Sequence, residues 1–195
     1  MKMGRWLAAA AALLALAGPA AAQDDEGLYL GGSAGYSQYK NICKTIALPC
    51  DSNDSAWRGF AGYQFNRNLS FEVGYGNLGE VTASGDFFGL GQVNYKREVK
   101  AWDLSFLLQF PVAGQLSILT RVGAYRARTT EDQTGALGTF HTGTTNSALT
   151  YGLGAGFMVW KLGVRAEWQR YENVGTQTTG KDDIDVFSVG ALFMF

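Results

Sequence analysis

The strongest constraint on the fold is the segment 186–195, in which every second residue from Phe187 onward is apolar. Successive side chains of a β-strand point to opposite faces. One face of this predicted strand is therefore wholly apolar, with Phe187, Val189, Ala191, Phe193 and Phe195. The other face carries Ser188 and Gly190. Such a strand suits the wall of a barrel that faces lipid.

Seven further segments alternate in the same way, which predicts an all-β chain. The eight predicted strands are roughly 28–38, 56–65, 69–78, 98–110, 115–127, 148–159, 162–172 and 184–195. Tight turns at 66–68, 112–114 and 160–161 alternate with long connections at about 39–55, 79–97, 128–147 and 173–183. This arrangement is typical of outer-membrane proteins. The sequence therefore predicts an eight-stranded antiparallel up-and-down transmembrane β-barrel with both termini on the periplasmic side.

Charged residues collect on the less apolar face of the predicted strands, where three basic and three acidic side chains occur. They are Arg58, Glu72, Asp103, Arg121, Arg165 and Glu167. A buried unpaired charge is costly, so we expect a paired network inside a polar lumen. Whether the network only fills the lumen or takes part in transport stays open. A soluble lipocalin-like barrel is the alternative fold, with apolar residues inside around a ligand.

The first 22 residues have the pattern of a secretory signal peptide. Lys2 and Arg5 precede an apolar run, and Ala20–Ala22 offers small residues for cleavage before Gln23. We expect residues 1–22 to be removed and residues 23–195 to form one barrel domain. Loss of Lys2 and Arg5 changes the formal net charge from −1 to −3. That charge gives no case for a nucleic-acid partner.

Few residues suit catalysis or metal binding. Cys43 and Cys50 are the only cysteines, and an oxidising envelope favours a local disulfide between them. Two thiols without further ligands do not complete a zinc site. The single histidine, His141, lies in a predicted solvated loop without a serine at motif spacing. We therefore expect no catalytic residue, no metal and no cofactor.

Three stretches resemble the OmpA transmembrane domain: Gly62–Asn66, Phe71–Gly79 and Arg165–Gln169 with the following Asn-Val-Gly. The resemblance extends to the terminal Phe195, which it implies is an assembly signal. It also implies a lumenal gate, with Glu72 as the acid and Arg165 as the arginine. The family's alternative gate partners fall on Leu107 and Gly156, so the switching network is not kept. We expect no separate peptidoglycan-binding domain of the kind the family carries, and no peptidoglycan tether.

These observations predict an outer-membrane protein with a mainly structural role in envelope integrity, with a narrow pore for small solutes as a secondary expectation. The alternative is a surface adhesin or receptor acting through its long extracellular loops. The apolar cluster Phe87–Leu90 would then be a contact site or would fold onto the barrel rim. Expected partners are outer-membrane lipid, lipopolysaccharide and the barrel-assembly machinery, with the protein a monomer.

Overall fold

The computed structural model describes residues 26–41, 50–86, 92–135, 138–176 and 180–195. Their secondary structure is built from eight long antiparallel strands. These are β1 (Gly27–Tyr39), β2 (Asn53–Asn66), β3 (Leu69–Asp86), β4 (Gln92–Ala113), β5 (Leu116–Gly135), β6 (Gly138–Val159), β7 (Leu162–Val174) and β8 (Asp182–Met194). A two-residue strand, Cys50–Asp51, also pairs with β3 at Thr82–Ala83. No helix among the described residues is long and apolar enough to cross a membrane.

The sheet closes on itself, because each strand pairs with its neighbours in the chain and β1 pairs with β8. The closing register places Ser33 opposite Gly190 and Leu30 opposite Phe193. The backbone amide of Phe195 adds one further hydrogen bond to the carbonyl of Leu28, at 3.0 Å. A closed up-and-down barrel leaves no strand edge unpaired, as a bilayer requires. The predicted fold class is confirmed.

The outer surface is apolar where the sequence predicted it. In β4 the side chains of Trp102, Leu104 and Phe106 are half exposed, whereas Asp103 and Ser105 between them are buried. The same alternation runs through the other strands, so large apolar side chains face outward all around the wall. Such a surface is stable when lipid covers it.

Aromatic rings form a band on the outer face toward the extracellular end. The rings of Trp57 and Tyr75 are 6.1 Å apart, and those of Tyr75 and Trp102 are 4.6 Å apart. Tyr36 stacks on Phe187 at 5.2 Å. Amphipathic rings favour the boundary between acyl chains and headgroups, so this band indicates where the outer leaflet ends.

The three short connections are tight turns, as predicted. Asn66 closes the first, because its side-chain oxygen accepts hydrogen bonds from the amides of Asn68 and Leu69 at 2.9 and 3.0 Å. Gly114 and Trp160 have positive φ values of 56° and 55° in the other two turns. Primed two-residue turns need this backbone conformation to match the twist of the strands.

Two predicted loops are wrong. The segments 79–97 and 128–147 consist mainly of strand, because β3 and β4 pair out to Asp86–Gln92 and β5 and β6 pair out to Gly135–Gly138. Both faces of these two segments carry polar side chains, so the alternation of apolar and polar residues that predicted the other strands is not visible in them. His141 consequently lies on β6 and not in a loop, with its Nδ1 2.5 Å from Asp132 on β5.

Some sequence-based expectations fall outside the described residues. These are the signal peptide at 1–22, the apolar cluster Phe87–Leu90, and Cys43. For Cys50 only the backbone pairing with β3 is described. The signal peptide and the disulfide therefore stay predictions.

Candidate functional site in the barrel lumen

Glu72 of β3 is the centre of the lumen and has no exposed surface. Its carboxylate accepts hydrogen bonds from three arginines and one tyrosine. Nη1 of Arg58 is 3.1 Å from Oε2, and Nη2 of Arg121 is 2.9 Å from the same oxygen. Arg165 donates to both oxygens, and the Tyr29 hydroxyl donates to Oε1 at 3.1 Å. One carboxylate thus joins four side chains from different strands.

Arg58 of β2 forms a second, bidentate pair with Asp103 of β4. Its Nε and Nη2 are 2.8 and 2.7 Å from the two carboxylate oxygens. The Ser105 hydroxyl donates to Asp103 at 3.2 Å. The guanidinium lies against Gly74, where any Cβ atom would overlap it. Bidentate geometry fixes orientation as well as adding energy, so this pair holds Arg58 across the lumen.

Glu167 of β7 joins the remaining two arginines. Nη2 of Arg121 is 3.1 and 3.3 Å from its two oxygens, and Nε of Arg165 is 3.2 Å from Oε2. Each arginine therefore contacts at least two acids, since Nη1 of Arg121 also lies 3.8 Å from Asp103. The structure brings together all six charged residues that the sequence placed in the lumen, with three charges of each sign.

Phe60 supports the network from the inner face of β2. The Cζ atoms of Arg165 and Arg58 are 3.9 and 5.1 Å from the centre of its ring. Cations over an aromatic face are attracted by the ring quadrupole. Phe60 thus stabilises the faces of the two guanidinium groups, which the acids do not cover.

An apolar layer fills the lumen on the extracellular side of the charges. Along β4 the inward side chains run from Asp103 to Ala101 and Val99, and all are buried. The layer consists of Tyr39, Ala56, Leu78, Val81, Val99, Ala101, Tyr125, Ala127, Tyr171, Val174, Ile184 and Val186. The prediction of a polar lumen along the whole barrel is wrong at this layer, which we call the apolar plug.

Two of the three tyrosines of this plug, Tyr39 and Tyr125, pair their hydroxyls with backbone oxygens. Tyr39 donates to the carbonyl of Gly79 at 3.1 Å, and Tyr125 donates to the carbonyl of Glu172 at 2.5 Å. The rings of Tyr125 and Tyr171 pack edge to face with centroids 5.2 Å apart. A buried tyrosine is stable when its hydroxyl finds such a partner.

A second polar layer lies above the plug. Arg97 is buried, and its Nη2 donates to the carbonyls of Val174 and Gly180 at 3.3 Å. Its Nε lies 3.6 Å from Glu131, which also accepts a hydrogen bond from Tyr95 at 3.0 Å. This contact could not be predicted, because Arg97 and Glu131 both fell in predicted loops.

Below the charge network the lumen opens toward the short turns. A cavity of about 40 Å³ is lined by Tyr29, Gln64, Gln109, Ser117, Leu119 and Arg165, among others. Polar groups and a volume of this size suit a few water molecules. This vestibule ends at the charge network.

The two positions that the resemblance assigned to alternative gate partners are uncharged. Leu107 is fully buried on the inner face of β4 between Ser70 and Arg121 in register. Gly156 of β6 lies opposite Arg165. Within the described lumen, Arg58 and Arg121 supply the additional contacts to Glu72 instead.

The predicted assembly signal lies at the periplasmic rim. The ring of Phe195 is 69% exposed and packs edge to face on Phe193, with centroids 5.3 Å apart. It continues the lipid-facing side of β8. Its role in assembly is a proposal.

Comparison with solved structures supports the fold. Neisserial surface protein A gives a TM-score of 0.63 at 17% identity, covering 87% of this chain and 97% of that one. Ail, the attachment invasion locus protein of Yersinia pestis, gives a TM-score of 0.53 at 16% identity, covering 87% of this chain and 99% of that one. At these identities the likeness concerns the fold alone.

Comparison with curated proteins gives relatives of higher identity. Outer membrane protein A of Yersinia pseudotuberculosis serotype I (strain IP32953) is 32% identical over 197 residues, covering 97% of this chain and 54% of the relative. The Klebsiella aerogenes protein of the same name is 31% identical over 198 residues, covering 96% and 55%. The chain thus spans about half the length of these relatives. The sequence profile of the OmpA-like transmembrane domain matches residues 23–195, so the chain belongs to the OmpA-like transmembrane domain family of outer-membrane β-barrels.

Proposed function

We propose that this barrel is a structural component of the outer membrane, that it supports envelope integrity, and that its lumen is closed to solutes. The observation that carries the proposal is the pair of packed layers across the lumen. Glu72 and its three arginines form the lower layer, and the apolar plug forms the upper one.

Passage of a solute would require both layers to open. Separating a buried ion pair leaves charges without partners, which costs about 3–5 kcal/mol when one partner is removed. Here each arginine contacts at least two acids, so several contacts would break together. The plug above adds apolar surface that does not hold ions. Both features favour a structural role in the membrane over a role as a pore.

A deletion strain tests this role. Loss of the protein is expected to raise detergent sensitivity and uptake of a hydrophobic dye, and expression of the wild-type chain is expected to restore both. Expression of Phe106→Arg in the deletion strain is the matched control. This variant is expected not to restore the barrier, because a charge on the lipid face opposes insertion by about 2–4 kcal/mol near the midplane. An unchanged permeability barrier in the deletion strain would contradict the proposal.

We also propose contacts with outer-membrane lipid and lipopolysaccharide, and insertion by the barrel-assembly machinery with Phe195 as its signal. The half-exposed apolar wall and the position of Phe195 on the lipid-facing side of β8 support these partners. The closed sheet supports a monomer, since it has no free strand edge to share.

Catalysis is not part of the proposal. His141 contacts Asp132, but no serine hydroxyl in the described residues hydrogen-bonds to it. The alternative role as an adhesin or receptor rests on the cluster Phe87–Leu90, which lies outside the described residues. No described contact favours it over the structural role.

A further inference from the structure

A basic patch lies on the outer face of β4 and β5, just above the aromatic band. In the strand register Trp102 is opposite Arg126, and Lys100 is opposite Arg128. Directly opposed side chains on one face have Cβ atoms about 5 Å apart. Three cationic groups are therefore gathered on one small area. We define Lys100, Arg126 and Arg128 as the basic patch.

The charge of the patch is only partly compensated. Nζ of Lys100 is 2.9 Å from Oε1 of Glu98, which also accepts a hydrogen bond from Asn77. Within the ranges that the structure describes, neither Arg126 nor Arg128 has an ion pair or a side-chain hydrogen bond. Both guanidiniums are exposed. Two planar donor groups thus remain available to an external anion.

Three other cations on the outer surface of the extracellular half are paired with acids. Arg170 forms a bidentate pair with Asp185, at 2.6 and 2.7 Å, and Lys40 contacts the same carboxylate at 2.9 Å. Lys96 is 2.6 Å from Glu80. The basic patch therefore differs from its surroundings in carrying unpaired positive charge.

The patch also has a concave shape. It borders a surface depression of about 500 Å³, with Trp102 and Tyr75 at its lower edge and Thr130 and Thr145 among the polar residues above. Below this edge the wall becomes lipid-facing, at Leu104, for example. A ligand held here would have its polar part at the cations and its apolar part along the wall.

We propose that the basic patch binds the phosphorylated headgroup of a glycolipid in the outer leaflet. Arg126 and Arg128 hold a phosphate group through paired N–H donors, a geometry that suits guanidinium groups. Trp102 and Tyr75 lie against the sugar and the start of the acyl chains. The site deepens the proposed structural role by naming a lipid partner, and rests on that role for its placement at the outer leaflet.

The test uses the refolded barrel in detergent micelles and native mass spectrometry. The probe is lipid A carrying two phosphates, with the same lipid after enzymatic dephosphorylation and free inorganic phosphate as comparison ligands. Wild-type protein is expected to form a single-lipid adduct with the phosphorylated lipid. Loss of charge-assisted hydrogen bonds from one arginine is expected to weaken binding about tenfold, and Arg126→Gln with Arg128→Gln more than that.

The matched control is Arg67→Gln, which makes the same charge change in a turn at the periplasmic end. It is expected to bind lipid A like the wild-type protein. If the double variant Arg126→Gln, Arg128→Gln bound lipid A as tightly as the wild-type protein, the proposal would be overturned. Equal binding of the dephosphorylated lipid, or binding of inorganic phosphate as tight as that of lipid A, would also overturn it.

Failure of this site and failure of the structural role give different results. A heat-dependent shift in gel mobility reports that each variant forms the barrel, independently of lipid binding. The deletion phenotype reports the structural role in cells. A folded barrel with a normal envelope phenotype and no preference for phosphorylated lipid would reject the lipid site alone.

Discussion

Replacing Glu72 by Gln removes the charge that joins the three lumenal arginines while keeping the shape of the side chain. The carboxylate accepts five hydrogen bonds, four from guanidinium groups and one from Tyr29. In the variant, three arginines would share the two remaining acids, Asp103 and Glu167. The lumen would then carry one unbalanced positive charge.

The size of the effect depends on which ion pairs the three arginines keep in the variant. Arg58 retains its bidentate pair with Asp103, and Arg121 and Arg165 retain Glu167. No arginine therefore loses every partner, but one buried charge becomes uncompensated. Removing one partner of a buried ion pair costs about 3–5 kcal/mol. We expect Glu72→Gln to lower the free energy of unfolding by an amount in this range.

The assay is urea unfolding of the barrel in lipid vesicles, followed by tryptophan fluorescence. The midpoint is expected to fall without a change in the urea dependence, because the exposed surface stays the same. Glu80→Gln is the matched control, since its ion pair with Lys96 is solvent-exposed on the extracellular hairpin. Exposed pairs contribute about 0–1 kcal/mol, so this variant is expected to unfold nearly like the wild-type protein.

A double-mutant cycle tests the partnership directly. Glu72→Ala with Arg165→Ala is expected to cost less than the sum of the two single changes, because the double variant leaves neither charge unpaired. Coupling between contacting charges amounts to about 0.5–3 kcal/mol. Strictly additive losses, or a Glu72→Gln variant as stable as Glu80→Gln, would show that Glu72 does not hold the arginines together.

Three further predictions concern the ends and surface of the barrel. Deleting Phe195 should lower outer-membrane levels and raise periplasmic aggregates, and normal levels of heat-modifiable barrel would contradict this. The mature chain should weigh two hydrogens less than its reduced form if Cys43 and Cys50 are bridged, and two alkylatable thiols would remove the claim. Serine at both positions should leave the barrel folded, because the bridge closes only a local loop. The hydrogen bond and charge of Glu80 raise the pKa of Lys96. The pair should therefore weaken as pH rises through that raised value, and an NMR titration of Glu80→Gln should show a lower pKa for Lys96.

The transmembrane part of the fold was predictable because lipid imposes a simple pattern. A strand with lipid on one face and a lumen on the other must alternate, as β3 does at Phe71, Glu72 and Val73. The same alternation placed all six charged residues on the inner face. Cross-lumen contacts then followed from the small size of an eight-stranded barrel.

The extracellular half was less predictable, because the outer faces of the long hairpins are polar and both faces carry polar side chains. Residues 79–97 and 128–147 lack a clear apolar face, so their strand pairing was not visible in the sequence. The apolar plug was missed for a related reason. Its members, such as Val99 and Tyr125, lie on the inner face of strands whose outer face is polar or charged nearby, which inverts the pattern of the membrane segment.

The individual contacts of the charge network could not be predicted from the sequence. The sequence indicated that Glu72 and Arg165 share the lumen, but not that Arg58 and Arg121 reach the same carboxylate. Nor did it indicate that Phe60 lies under two guanidiniums. These contacts depend on the stagger between strands, which alternation alone does not fix.

Conductance across a planar lipid bilayer tests the closed lumen most directly. Purified barrel, with its folded state checked by heat-dependent gel mobility, is applied to the bilayer and the current is recorded across a range of voltages. The packed charge network and the apolar plug predict no steady conductance above that of the bare bilayer. A steady, ohmic current from wild-type protein would contradict the account.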